Sequence, residues 1–386
     1  MNFRKMKTNE LDSRSPQARL IAFYLPQFHP IPENDDWWGK GFTEWTNVAK
    51  AKPLFFGHYQ PRLPADLGYY DLRVPETRIA QAELAKQHGI EGFCYWHYWF
   101  AGRRLLERPF TEILKLKKPD FPFCLAWANQ SWSGIWHGCP DRILVQQTYP
   151  GIEDYKAHFY AVLNAFGDSR YITVEDKPLF VVYNPHALPE PKQFIDCWQN
   201  LAVKSGLKGL YFVGITKNPQ WNPELDGFDA FTVSNPDYIF NQRSPRIFLK
   251  KSIIEKLSKK SLQLVSKKIY DNKYPPLPTL FSYEKAIKNA FITNNIESEN
   301  YPCVFPNWDN TPRSGVNGKV FLDSTPDLFR VHLREALEQV ASKDLEKRII
   351  FIKSWNEWAE GNYLEPDIKF GKGYLQVIRD EIYNPT

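Results

Sequence analysis

Two carboxylates three residues apart, Glu357 and Glu360, stand in the run Ser354-Trp355-Asn356-Glu357-Trp358-Ala359-Glu360-Gly361. Glycosidic-bond chemistry needs a protonated carboxyl to assist a leaving oxygen. It also needs an ionised carboxylate to act as base or nucleophile. The flanking residues suit sugar: the faces of Trp355 and Trp358 match the apolar faces of sugar rings, and Asn356 can bond hydroxyls. The alternative is an exposed acidic turn with tryptophans filling the core, but core filling does not explain the polar groups packed among them. No C-x-x-C pair or H-E-x-x-H motif occurs, so a structural zinc is not indicated, and nothing in the chain calls for a cofactor.

Further polar and aromatic residues collect where apolar runs end. Tyr24, Gln27 and His29 follow the first such run and fit either hydroxyl binding or a satisfied structural role. Glu44, beside Trp45, is a third candidate carboxylate for substrate contact. Trp96, His97, Trp127, Asn129, Tyr183, Asn307, Trp308 and Asp309 close later runs. His97 reads equally as a proton shuttle or as a packed hydrogen-bonder. Asp309 has no partner at metal-ligand spacing.

These residues need elements to hold them. Short apolar, β-branched runs predict strands at Leu20–Leu25, Glu91–Trp96, Phe121–Trp127, Leu179–Tyr183, Leu210–Ile215, Phe228–Val233, Pro302–Phe305 and Ile349–Ile352. Helical patterns follow most of them, at 75–88, 105–116, 153–166, 191–205 and 325–342. The linker 216–227, with Pro219 and Pro223, is too short for a full helix. The connection from the first strand to Pro75 is long, and its tryptophans argue against disorder. Eight strands alternating with helices predict an α/β fold, a (β/α)8 TIM barrel with long βα loops. Parallel strands buried on both faces read as such continuous runs. In that fold the active site forms at the C-terminal strand ends. Of the 13 tryptophans only Trp198 falls in a predicted helix; the others follow strands. Core filling would have spread them, so a groove of sugar-stacking indoles is expected at one mouth.

The length of 386 residues, with 43% hydrophobic and 24% charged content, suits one large globular domain over 19–386. The polar stretch 1–18 lacks the apolar core of a secretory signal and is expected to be a mobile arm. Of five cysteines, Cys94, Cys124 and Cys303 sit in apolar runs as buried thiols, which fits a reducing, cytoplasmic setting. No apolar run reaches the roughly 20 residues that span a bilayer. The formal charge of +5 comes without any nucleic-acid-binding motif, so no nucleic-acid partner is expected. The charge is uneven. The insertion 241–275 carries ten basic residues, from Arg243 to Lys273, against Glu255 and Asp271, interleaved with Ile253, Ile254, Leu257, Leu262, Leu264 and Val265. Such a basic helical insertion either lies peripherally on an anionic inner-membrane surface or is a solvated helix in a loop.

The runs RLIAFYLPQFHPIPENDDWWGKGFTEWTNVAKAKPLFFGHYQPRLPADLGYYDL, GFCYWHYWF, AWANQSW, PNWDNTPR and SWNEWAEG together resemble the WbsX-type family over roughly residues 19–375. These are bacterial proteins with a glycoside hydrolase family 99-like domain, usually described as glycosyltransferases and often encoded with O-antigen and other surface-polysaccharide functions. The resemblance implies a (β/α)8 barrel and an oligosaccharide or polysaccharide substrate, which can be lipid-linked. It assigns Glu357 as base and Glu360 as general acid. In family 99, which cleaves α-mannosidic bonds, the base acts on the sugar 2-hydroxyl, giving an anhydro-sugar and net retention. The same pair would serve hydrolysis, transglycosylation or transfer, or survive in a non-catalytic glycan binder. A transferase using a nucleotide sugar would be expected to carry a Rossmann-type glycine fingerprint or a D-x-D motif, and neither occurs.

Overall fold

Strand β1 (Arg19–Tyr24), RLIAFY, is buried in all but its first residue, and both its edges are paired in parallel. One neighbour is β2 (Gly92–Phe100). Then come β3 (Phe123–Trp127), β4 (Lys177–Val182), β5 (Tyr211–Thr216) and β6 (Ala230–Val233), each parallel to the last. The seventh stave, β7, is in two pieces. Asn300–Tyr301 pairs with β6, and Cys303–Val304 pairs with β8 (Ile349–Ile352), which returns to β1. Pro302 separates the pieces because it has no N–H to give to a ladder. The nine parallel segments thus form a ring of eight staves, the TIM barrel that the strand pattern predicts. The computed structural model describes residues 15–134, 139–242, 277–288, 290–291 and 298–383.

Side chains alternate across each stave. Phe23 points inward and stacks on Trp96 (4.8 Å between ring centres) and on Phe351 (5.4 Å). Its neighbour Tyr24 points outward and donates to Gln81 Oε1 at 2.6 Å. Gln81 belongs to helix α3 (Pro75–Gln87), which follows two short helices, α1 (Pro32–Trp38) and α2 (Glu44–Lys50), in the long first βα connection. The sequence reading missed α1 and α2 because each spans only seven residues, too few for a periodic signal. They carry Trp37, Trp38 and Trp45, so Trp198 is not alone in a helix. The outer layer continues with α4 (Arg108–Leu116), α5 (Ile152–Phe166), α6 (Pro191–Lys204), α7 (Pro326–Val340) and α8 (Gly373–Tyr383). As expected, the linker after β5 holds no full helix; it carries the 3-10 turn Pro223–Asp226.

A second apolar cluster, including Phe240, Phe281, Tyr283, Phe305, Trp308 and Phe321, packs around a two-stranded parallel sheet, Thr279–Ser282 with Lys319–Leu322. It forms a shelf between β6 and β8. Residues 1–14 of the predicted arm lie outside the described residues. In the described part of that stretch, Gln17 N donates to Ile382 O at 3.0 Å and Ala18 is buried. The basic segment lies outside the described residues beyond Gln242, so its membrane or solvent reading has no structural counterpart. No described helix is long and apolar enough to cross a membrane. Cys94, Cys124 and Cys303 are buried free thiols.

Candidate active site

Past Ile352 the chain stops being apolar and folds into a tight loop. Asn356–Glu357 pairs antiparallel with Asn362–Tyr363, and a 3-10 turn, Trp358–Glu360, joins them. Gly361 ends the turn in a left-handed conformation, φ 60°. A Cβ there would stand 2.9 Å from Asp309 Cβ, so only glycine lets the two loops meet.

The loop has two faces. Glu357 and Glu360 turn toward the barrel axis, each about 5% exposed. Glu357 Oε1 accepts from Trp96 Nε1 at 2.9 Å. Glu360 Oε1 accepts from Arg313 Nη1 at 2.7 Å. The two carboxyls stand on the same tight loop, three residues apart. Burial pushes Glu360 up to about 8. The charge of Glu357 adds to this, while Arg313 and Lys353 oppose it. Glu360 therefore holds its proton at neutral pH, while Oε1 still accepts from Arg313.

Two cations flank the pair. Arg313 Nη2 donates to both oxygens of Glu44, at 2.7 and 2.8 Å. Burial disfavours its charge, but Glu44 and Glu360 outweigh that and raise its pKa. Lys353 lies on the inward side, Nζ 5.1 Å from the centre of the Trp308 ring. Burial disfavours this charge too, and Glu357, then Glu360, more than restore it. Tyr183 completes the group. It is edge-on to Trp96 at 5.6 Å, and its phenol is pushed up to about 12 by burial.

The other face of the loop is turned to the outer layer. Asn356 is fully buried and spends its amide on Leu25, accepting from N at 2.7 Å and donating to O at 3.0 Å. Trp358 stacks on Tyr363 at 3.8 Å and donates to Glu365 Oε2 at 2.6 Å. Trp355 is fully buried against Phe93. These three were expected to touch sugar; instead they are the packing that fixes the loop.

Several other expected contacts are likewise committed elsewhere. Glu44 is fully buried, bound to Arg313 and to Ala359 N (2.9 Å), so it positions rather than contacts substrate. Trp45 gives its N–H to Tyr70 O, and Tyr24 faces α3. His29 bonds Pro26 O within its own turn. His97 points outward to His158 on α5, Nε2 to Nε2 2.8 Å, and burial holds its pKa well below the usual value. That is the packed reading, not the proton shuttle. Trp127 packs on His158 and Phe194, and Asn129 bonds Asn184 and Tyr149. Asp309 is enclosed by His58 (2.9 Å), Gln60 (2.7 Å) and Thr311 (2.6 Å), and its N–H donates to Glu360 O. It is a latch on the Glu360 turn.

Of the predicted set, then, Glu357, Glu360, Trp96 and Tyr183 meet directly, and Trp308 lies under Lys353. Asn307 is 6% exposed, with a buried Oδ1 that has no partner among the described residues. Gln27 is partly buried, and its carbonyl accepts from Glu44 N. The indole groove is much reduced: Trp37, Trp38 and Trp132 are partly exposed, whereas Trp45, Trp96, Trp99, Trp127, Trp221, Trp308, Trp355 and Trp358 are buried. Trp136 lies outside the described residues. Arg313, Lys353 and Glu365 were not singled out from the sequence.

The structure is similar to a solved glycoside hydrolase-like protein, with TM-score 0.56 at 14% identity, covering 97% of this chain and 96% of the other. It is also similar to the GH99 endo-alpha-mannosidase from Bacteroides thetaiotaomicron, with TM-score 0.53 at 15% identity, covering 94% and 95%. At these identities the likeness concerns the fold. In sequence the chain is 37% identical over 378 residues to the uncharacterized protein WxcX of Xanthomonas campestris pv. campestris strain B100, covering 97% of this chain and 51% of that protein. A WxcX from a second strain matches at 37% over 366 residues, covering 95% and 50%. The chain spans about half the length of these curated relatives. The profile of the family described as Glycosyltransferase WbsX matches residues 20–378. With the family's sequence pattern running through every stave of the barrel and through the two-carboxylate loop, the chain belongs to the WbsX glycosyltransferase family.

Proposed function

We propose that this chain is a glycan-active enzyme that makes or breaks an α-glycosidic bond, with Glu360 as general acid and Glu357 as base. The favoured setting is transfer during assembly of a bacterial surface polysaccharide. The observation that carries the reading is the pair of buried carboxyls on one loop, Glu357 bonded to Trp96 and Glu360 bonded to Arg313, with Glu360 raised to about 8 by burial. An acid that keeps its proton at neutral pH beside a carboxylate ready to accept one is the division of labour this chemistry needs.

The closeness of the pair bears on mechanism. Inverting enzymes hold their carboxyls about 6.5–9.5 Å apart, and retaining enzymes with a carboxylate nucleophile about 5–5.5 Å. Glu357 and Glu360 stand three residues apart on one tight loop, so their carboxyls reach a substrate from the same side. Both groups then work from one side, Glu360 on the leaving oxygen and Glu357 on a hydroxyl next to it. That favours a neighbouring sugar hydroxyl as nucleophile and net retention. Hydrolysis or transglycosylation on α-mannose-like glycans is the second reading, favoured by the hydrolase-like fold.

Turnover of α-linked manno-oligosaccharides by the wild type and by Glu360→Gln tests this. Loss of turnover in the variant, with binding retained, supports the reading. Binding without turnover in both proteins would make the chain a glycan-binding module. Release of nucleotide from a sugar-nucleotide donor would select transfer over hydrolysis.

A further inference from the structure

Lys353 has an unusual setting for a lysine at a barrel mouth. It follows β8 two residues after Phe351, whose ring faces the barrel axis, and so shares that inward side. Trp308 supports its ammonium from below. Among the described residues no carboxylate oxygen comes within 4.0 Å of Nζ, and Nζ donates no hydrogen bond to the protein. An ammonium has three N–H donors. In this enclosed position the charge is sustained by Glu357 first and Glu360 second, then by Tyr183 and Asp237, with no direct bond to any of them. The Tyr183 hydroxyl also has no protein partner among the described residues, and it feels Lys353, Asp237, Glu360 and Glu357.

A carboxylate and unspent donors facing one gap suit a hydroxyl oxygen. Such an oxygen donates its proton to Glu357 and accepts from Lys353 and Tyr183 with its lone pairs. We infer that Lys353 is a catalytic residue, binding the sugar hydroxyl oxygen whose proton Glu357 removes and stabilising the negative charge that develops there. This rests on the reading of Glu357 as base.

The step balances without any further reactant. The hydroxyl O–H bond breaks and its proton goes to Glu357. The freed electron pair forms a bond to the anomeric carbon. The bond from that carbon to the leaving oxygen breaks, and the leaving oxygen takes the proton of Glu360. Lys353 keeps its own protons throughout. One negative charge has moved from Glu357, which faces Lys353, to Glu360, which is bonded to Arg313. Each cation thus stabilises the carboxylate of one half of the step. Donors aimed at developing charge in a water-poor site are commonly worth about 10²–10³ in kcat.

The probe is α-mannobiosyl fluoride, because fluoride leaves without help from an acid. Lys353→Met keeps the stem on Trp308 and removes the charge. It is expected to lower kcat about 10²–10³-fold with KM changed far less, as Glu357→Gln should. Lys353→Arg should recover part of the loss. Wild-type kcat in Lys353→Met, with Glu357→Gln inactive, overturns the lysine's role and leaves the acid–base reading standing. Wild-type kcat in Glu357→Gln overturns that reading itself. If the wild type leaves the fluoride intact, carboxyl titration by carbon NMR in glutamate-labelled protein decides. With the fold intact by circular dichroism, a Glu360 titration moved to higher pH in Lys353→Met supports the inference, and an unmoved one overturns it.

Discussion

Glu360 and Glu365 belong to the same loop, are 5% and 2% exposed, and are both raised, to about 8 and about 7. Burial is the first cause in each case. Their surroundings differ. Glu360 meets ionic groups: Arg313, Glu357 and, further off, Lys353. Glu365 meets neutral donors: Gln81 Nε2 at 2.7 Å, Tyr70 hydroxyl at 2.8 Å and Trp358 Nε1 at 2.6 Å. Tyr70 in turn accepts from Asn356 at 3.3 Å, so Glu365 braces residues on both sides of Glu357. A carboxyl among ions can exchange its proton with a neighbour. A carboxyl among neutral donors can only hold them in place. The comparison separates a chemical face from a structural one on a loop of ten residues, Asn356 to Glu365.

The comparison breaks most sharply at Glu360. Glu360→Gln should lower turnover of an unactivated α-mannoside about 10³-fold, about 4 kcal/mol in the barrier, with little change in unfolding midpoint. Steady-state rates together with urea unfolding measure both halves. Arg313→Met should do damage of another kind. It strands the fully buried Glu44 without its counter-ion, costing about 3–4 kcal/mol of stability in urea.

pH should divide the two carboxyls. A carboxyl with a folded pKa above its unfolded value contributes stability while protonated, fully below about 4.5, and loses it as pH rises through the folded value. For Glu365 the loss between about 4.5 and about 7 is on the order of 3 kcal/mol. Comparing the pH dependence of unfolding in the wild type and Glu365→Gln should show that part of the slope vanish in the variant. For Glu360 the slope extends to about 8, and turnover should fall above about 8 as the acid loses its proton. The smallest effect belongs to Tyr70→Phe. It removes one neutral donor, should cost about 1 kcal/mol, and should raise Glu365 further, visible as a shift of that same slope to higher pH.

Much of this was legible in the sequence. The eight staves stood out because strands buried on both faces are written as unbroken apolar runs, and Ile349–Ile352 was placed residue for residue. Glu357 and Glu360 stood out because acids among indoles are costly without a reason. The partners did not stand out because they meet only when the ring closes: Glu44 and Arg313 are 269 residues apart, Gln81 and Glu365 284. Lys353 left a faint mark, as the first charged residue beyond a buried strand, two places after inward Phe351. The tryptophans misled for a physical reason. An indole has one N–H and a large apolar area, so it can be wholly enclosed once that N–H is satisfied. Trp45, Trp96 and Trp358 have theirs satisfied by Tyr70, Glu357 and Glu365, and so serve as pillars rather than sugar platforms.

The divided seventh stave gives the barrel a suture. Asn300–Tyr301 is stitched to one neighbour and Cys303–Val304 to the other, with Pro302 contributing only its carbonyl, to Phe351 N at 3.0 Å. Fewer amides hold this joint than any other in the ring, so amide hydrogen exchange should be quickest there. The suture runs straight into Asn307–Arg313, the segment that carries the Glu360 latch and the arginine. A sugar gripped by that segment should therefore quiet exchange at Tyr301 and Val304, and the closure of the ring becomes a reporter of occupancy at its mouth.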